Sequence, residues 1–489
     1  MTHRPSFTQA IYRTTGVAAY DGNPLIEALP PIISVAETAS MVEWLPPVPE
    51  NSDRSAPAEL RIHALPSIRK LVYLLPEYGL YSSVFSVVLR EGYTTRNPVH
   101  AETWQHLHYV NNGGRQDYGA PAPRAHRSSG ILFSGISGTG KSTFVNRLLQ
   151  LYPQVIQHSR YSEQQFIHPQ LVWIKIDCPH NGSLSGLALR FFSAVDKALG
   201  TSYARSNFSQ NSRAPKLAVL LEEMAAVAAN HFLGVLIIDE LQNLSRAKTQ
   251  GDEGFLTFLS SMVEQIGVPI IGIGTPGVTK VFRKTLQDAR RAAAMGYYEF
   301  QRFSVDEDAW VDFVDTVTRY NWTESLIPDD ATFRAALYHH TQGITAIVIA
   351  LFILAQFRCL ASGEPMTVET LESVSVAELA PLQAALRVLR SGSAEGIHEF
   401  DDLATDRAWA EAVDNLDRAV LDFVALERPR ARTRNTANKT TLKKGKSRAS
   451  TDPQDFRSLE TTRNLHDQVR ERGLTPVNVF AMGKDIESP

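Results

Sequence analysis

The sequence predicts an α/β fold, a parallel sheet covered by helices on both faces, and two features carry that expectation. Residues 135–142 read GISGTGKS, a phosphate-binding loop set between the apolar run ILF at 131–133 and a helical run, TFVNRLLQLY. The second feature is the apolar run GVLIID at 234–239, which ends on Asp239, 98 residues after Lys141, with Glu240 beside it.

Each element has a chemical reason. The loop glycines let the backbone bend until its N–H groups point at phosphate, so Gly135, Ser137, Gly138, Thr139, Gly140, Lys141, Ser142 and Thr143 are the candidate contacts to ATP. Lys141 is placed to reach the β- and γ-phosphates. The Ser142 hydroxyl and the Asp239 carboxylate can hold Mg2+, and Glu240 can polarise a water. A third strand, VPIIGIGT at 268–275, ends on the polar Thr275, which can hydrogen-bond the attacking water. QLVWIKID at 170–177 and YYEFQRF at 297–303 complete the set of strands. Continuous apolar runs separated by helical segments are the pattern of a parallel sheet buried on both faces.

Composition frames the rest. A chain of 489 residues with 43% hydrophobic content is long enough for about three domains with real cores. The net charge of −3 excludes a globally basic nucleic-acid coat but not a local basic face. Two cysteines far apart, Cys178 and Cys359, imply neither a disulfide framework nor a zinc cluster, and fit a reducing cytoplasm. The first residues lack the basic flank and apolar core of a secretion signal. The longest apolar stretch, GITAIVIALFILAQF at 343–357, is short of the roughly 20 residues that span a bilayer. No membrane is expected.

Five segments follow. Residues 1–125 hold a proline-rich, extended, partner-binding arm to about residue 60, expected to build no core of its own, and then helices. Residues 126–303 hold the α/β core, and 304–425 a small helical lid and further helices in which Asp329–Asp330 and Thr367 suit N-caps. Residues 426–454 form a flexible basic linker, with nine basic side chains from Arg428 to Arg448 against the single acid Glu427. Its charges suit nonspecific DNA contact or mere solubility. Residues 455–489 form a tail where apolar residues return, a candidate docking element.

The phosphate loop, the Asp–Glu pair, the polar strand end and the helical lid resemble an AAA+ P-loop NTPase. More narrowly, NPLIEALPP at 23–31, REGYTTRNP at 90–98, LVWIKIDCPHNGSLSGL at 171–187, GVLIIDELQNLSRAK at 234–248 and IGTP at 273–276 resemble the TnsC family. These are TniB-related ATPase regulators of Tn-seven-like and CRISPR-associated transposons. The resemblance implies an ATP-dependent homo-oligomer, ring or filament, on double-stranded DNA, largely independent of sequence. It further implies a link between a TniQ- or TnsD-type target selector and the TnsA and TnsB transposase, with hydrolysis disassembling the complex. It places a finger arginine, supplied to a neighbouring subunit, at Arg290 or Arg291, residues that would otherwise cap a helix end. The lid arginine common among AAA+ proteins is missing, since Gly343 is followed by Ile344 and Thr345. Candidate phosphate contacts to DNA are Arg205, Arg213, Lys216, Arg246 and Lys248, each also readable as a solvated surface charge.

Overall fold

A computed structural model describes residues 7–75, 77–111, 130–208, 216–246, 267–278, 294–324, 327 and 331–392. The chain divides into two units, Met1–Ala425 and Leu426–Pro489, and every described residue belongs to the first. The basic linker and the tail at 455–489 lie outside the described residues, as do Asp329 and Asp330.

Among the described residues, eight strands form two sheets: β1 (Thr8–Gln9), β2 (Ile131–Gly135), β3 (Val155–Tyr161), β4 (Gln164–Leu171), β5 (Trp173–Asp177), β6 (Val235–Asp239), β7 (Ile270–Gly274) and β8 (Tyr297–Phe300). The main sheet has the order β5-β6-β7-β2-β8, with every neighbouring pair parallel. Every residue of β2, β6 and β7 is buried, as their apolar runs require. The chain leaves β2 for the far edge at β5 and returns on the other side to β8. The loop after β2 therefore opens into the crevice at the carboxyl ends of the strands, where ligands of such sheets sit.

The run at 170–177 is not one strand. Leu171 closes an antiparallel hairpin by pairing with Val155, whereas Trp173 begins the parallel pairing with Val235, and the chain passes between sheets at Val172. The apolar LVWI fills two successive buried environments, so hydropathy alone shows no break. The β3–β4 hairpin takes β1 on its other edge as a second, three-stranded sheet. The run at 297–303 ends earlier than expected, at Phe300, because Phe303 turns into the lid core.

The proline-rich segment builds no separate core; its apolar side chains enter the main one. Asn23 caps the short helix Pro24–Glu27 and donates through Nδ2 to the Tyr93 carbonyl at 2.8 Å, while Leu25, Ile26, Leu29 and Val42 are buried in the main core. Leu65, Ile68 and Leu71 pass instead into the lid core. One stretch of chain thus supplies side chains to both cores.

Helix Glu77–Thr94 carries buried residues at Tyr78, Tyr81, Phe85, Val88, Leu89 and Tyr93, a helical period that turns one face to the sheet. Tyr78 and Tyr81 pack against Phe144, Phe133 and Phe300 at ring separations of 4.5–6.1 Å, fixing the helix after the phosphate loop to β2 and β8. The lid packs Trp310, Phe313, Val314 and Val317 against Val348, Leu351, Phe352 and Ala355 of helix Thr345–Ser362. That 18-residue helix is apolar enough by composition to cross a membrane, yet half of it is buried inside the lid. Thr367 caps the next helix as expected, accepting from the Thr370 N–H.

The hairpin meets the N-terminal segment through a buried histidine. Tyr12 donates its hydroxyl to His158 Nδ1 at 2.8 Å, and His158 Nε2 donates to Gln170 Oε1 at 2.9 Å, which fixes a neutral ring. Burial pushes His158 down to about 4. The ring is therefore neutral in the fold at a pH where the unfolded chain, with a histidine near 6.5, is already protonated. The unfolded state binds more protons between about pH 6.5 and 4, so stability falls as the pH is lowered through that window, by about 3 kcal/mol at completion. Chemical denaturation from pH 7 to 4 should show this loss, and His158→Gln should show a flatter profile; parallel profiles would refute the assignment.

Candidate functional site

β2 delivers the chain into the loop, where Gly140, with φ of +98°, caps the helix Lys141–Leu149 in a left-handed conformation that a side chain would strain. Lys141 is buried and arches back across the loop, its Nζ donating to the Gly135 carbonyl at 2.6 Å and to Ile136 at 2.9 Å. An ammonium held this way sits in the loop already, and phosphate oxygens can take over from the carbonyls. Thr139 turns inward, its Oγ1 donating to the Ile136 carbonyl at 2.9 Å, so its side chain staples the loop.

β6 ends on Asp239, 5% exposed. Its Oδ1 accepts the Glu240 N–H at 2.9 Å, and its Oδ2 lies 2.8 Å from Lys175 Nζ. Glu240 has a φ of +56°, a left-handed conformation uncommon for glutamate, and its carboxylate is exposed to the crevice. Gln242 Nε2 donates to Glu240 Oε2 at 2.8 Å, and Gln242 Oε1 accepts the Thr275 N–H at 3.1 Å. The Thr275 hydroxyl, at the end of β7, is buried with no hydrogen-bond partner among the described residues. A buried hydroxyl without a partner is costly unless a ligand completes it.

These groups line one cavity of about 280 Å³, formed by Ser137, Gly138, Gly140, Lys141, Ser142, Thr143, His180, Asp239, Glu240, Gln242, Asn243, Gly274 and Thr275. The phosphate loop, the acidic pair and the polar strand end predicted from sequence therefore come together. Gly135 and Thr139 support the loop from behind. Lys175, His180, Gln242 and Asn243 escaped the sequence reading. Lys175 had a visible signal, a charge in the middle of a strand, whereas Gln242 lies in a short 3-10 helix and His180 in a turn, whose paths no pattern gives. A metal fits here: Asp239 is a buried carboxylate already drawing a cation, in the same cavity as the Ser142 hydroxyl. Cys178, next to the site, is a free buried thiol that burial pushes up to about 12, which leaves it protonated and inert.

Among the described residues, the lid reaches the loop through Ile344 and Ala346, not through an arginine. Ala346 N–H donates to the Gly138 carbonyl at 3.0 Å, and a Cβ at Gly138 would stand 3.1 Å from Ile344 and Ala346 atoms. Among the described residues lining the cavity, the basic side chains are Lys141 and His180. Arg290 and Arg291 lie outside the described residues, as do Arg213, Lys248 and the Arg246 side chain. Arg205 and Lys216 are exposed at the ends of neighbouring helices and do not line the cavity.

Residues 124–282 match the model of the AAA domain. This is an AAA+ P-loop fold. No curated protein matches the chain. Similar solved structures include the Orc1 protein of Aeropyrum pernix in complex with DNA, at 16% identity over 58% of this chain and 67% of that one, TM-score 0.37. A Walker-type ATPase of Pyrococcus abyssi is similar at 16% identity over 55% and 72%, TM-score 0.34. Cdc6p of Pyrobaculum aerophilum is similar at 12% identity over 55% and 64%, TM-score 0.31.

In this AAA+ fold the turn before the lid helix is a second fixed point. Gly343 has a φ of +71°, and a Cβ there would stand 2.3 Å from the Phe303 carbonyl. Gly363, φ +74°, has open space around it. Gly343→Ala should cost about 2 kcal/mol or more and weaken nucleotide binding by displacing the lid from Gly138, while Gly363→Ala should cost about 1 kcal/mol and leave binding alone. Denaturation curves and nucleotide titrations of the two variants check this.

Proposed function

We propose that this chain is a Mg2+-dependent ATPase that assembles on double-stranded DNA and regulates transposition. The observation that carries the ATPase reading is the single cavity joining Lys141, Ser142, Asp239, Glu240 and the buried Thr275 hydroxyl, which has no partner among the described residues. Lys141 and the loop N–H groups hold the phosphates. Ser142 and Asp239 would hold Mg2+, which supplies charge neutralisation at the phosphate oxygens. Glu240, tethered by Gln242, orients and polarises the attacking water, and the Thr275 hydroxyl supplies a hydrogen bond at the same place.

The finer reading rests on the resemblance to the TnsC family in the segments at 23–31, 90–98, 171–187, 234–248 and 273–276. On it, ATP-bound subunits form a ring or filament on DNA, with Arg290 or Arg291 completing the neighbour's site and Arg205, Arg213, Lys216, Arg246 and Lys248 available for the phosphate backbone. The assembly receives its target from a TniQ- or TnsD-type selector and presents it to TnsA and TnsB, with 455–489 as the docking element. Hydrolysis then takes the assembly apart.

Lys141→Ala should abolish binding of ATP and with it ATP-dependent assembly on DNA. Glu240→Gln should retain ATP, stop turnover, and accumulate assemblies visible by electron microscopy. Equal loss of DNA assembly in both variants would contradict ATP gating. Duplex affinity should drop on the order of tenfold or more from 50 to 200 mM salt with little sequence preference; marked preference for one sequence without a selector would favour a replication-initiator role.

A further inference from the structure

The ion pair between Lys175 and Asp239 has a part that none of the site's other groups plays. β5 alternates, with Ile174 and Ile176 buried on one face and Lys175 on the other. Its register places Lys175 beside Ile237, two residues before Asp239. The Lys175 side chain is 17% exposed and the Asp239 side chain 6%, so the 2.8 Å contact is largely screened from water. Asp177, its other acidic neighbour, is 3.9 Å away and mostly exposed, which leaves Asp239 as the partner that matters.

Asp239 and Glu240 are adjacent acids lining one cavity with a hydroxyl, Ser142, in reach of the same space. Such a set can attract a divalent cation by itself. Each Asp239 oxygen keeps one donor, the Glu240 N–H on Oδ1 and the lysine on Oδ2, and each retains a further acceptor site. The carboxylate is therefore oriented and half-neutralised without being blocked.

We propose that Lys175 is a positioning residue that withholds the acidic pair from Mg2+ until nucleotide phosphates add their own oxygens, so that the metal enters only with nucleotide. The proposal rests on reading this cavity as a Mg2+–nucleotide site. It assigns to Lys175 a control of metal affinity, distinct from any contact with ATP.

The test uses the full chain with Lys175→Gln, Lys175→Met and Lys175→Arg. Melting temperature is followed against MgCl2 without nucleotide, and binding of a fluorescent ATP analogue is followed against MgCl2 and in EDTA. The wild type and the Arg variant should gain no stability from Mg2+ alone up to about 1 mM. The Gln and Met variants should show a saturable rise, and their Mg2+ half-saturation with nucleotide should fall on the order of tenfold, with affinity in EDTA unchanged within about twofold. A folded Gln variant with a wild-type Mg2+ response overturns the proposal. So does tight Mg2+ binding by the nucleotide-free wild type, a measurement that needs no variant to fold. A wild type that binds no ATP would refute the ATPase reading, while the nucleotide-free titrations would still decide the role of Lys175.

Discussion

A carboxylate lies buried at the end of a strand whose every other residue is apolar and buried, and the geometry of the site is organised around satisfying it. Asp239 is largely shut off from water, so the fold brings donors to it. The neighbouring strand supplies Lys175, and the chain itself supplies the Glu240 N–H by turning left-handed immediately after the strand. That turn aims the Glu240 side chain into the crevice and starts the 3-10 helix Leu241–Arg246, pinned by buried Leu241 and Leu244. Gln242 then lies between Glu240 and Thr275. The water-polarising carboxylate and the strand-end hydroxyl are held in one frame because a buried acid had to be satisfied first.

The N-terminal segment gives that frame its rigidity at longer range. Leu25 and Val42 lie in the main core, Leu65 and Ile68 in the lid core, and each fully buried leucine contributes roughly 2 kcal/mol from area alone. Hydrogen bonds add direction: Arg54 Nε donates to the Asn321 carbonyl at 3.0 Å, Arg61 Nη1 to Trp322 at 3.0 Å, and the Tyr320 hydroxyl to Pro46 at 2.8 Å. A segment bonded to both bodies resists their separation, so movement of the lid relative to the phosphate loop must strain the segment or detach it.

The site was legible where chemistry demands a fixed local pattern. A phosphate loop needs its glycines and lysine in sequence, and a buried parallel strand ending in an acid announces itself by contrast. Legibility failed where a residue's environment is set by distant chain. Pro-rich wording at 28–31 gives no sign of where the segment packs, yet Leu25 and Leu29 are buried in the main core, Asn23 donates to the Tyr93 carbonyl and Gln170 to the Leu25 carbonyl, contacts from more than 60 residues away. The run at 170–177 reads as one strand because the two sheets it visits bury the same kind of side chain. Lys175 could have been noticed, but its partner is known only once β5 and β6 are paired.

The missing lid arginine has a consequence for how hydrolysis is controlled. Charge building on the γ-phosphate needs cations beyond the loop lysine, and the described lid residues at the loop offer a backbone N–H and apolar contacts. Lys175 is committed to Asp239, and His180 sits exposed at the rim. On the reading proposed above, the further cation comes from a neighbouring subunit, so a lone subunit holds ATP with an incomplete charge complement. Turnover is then low until subunits meet. An ATPase of that kind is a timer of its own assembly, because the contact that builds the oligomer is also the contact that starts its removal.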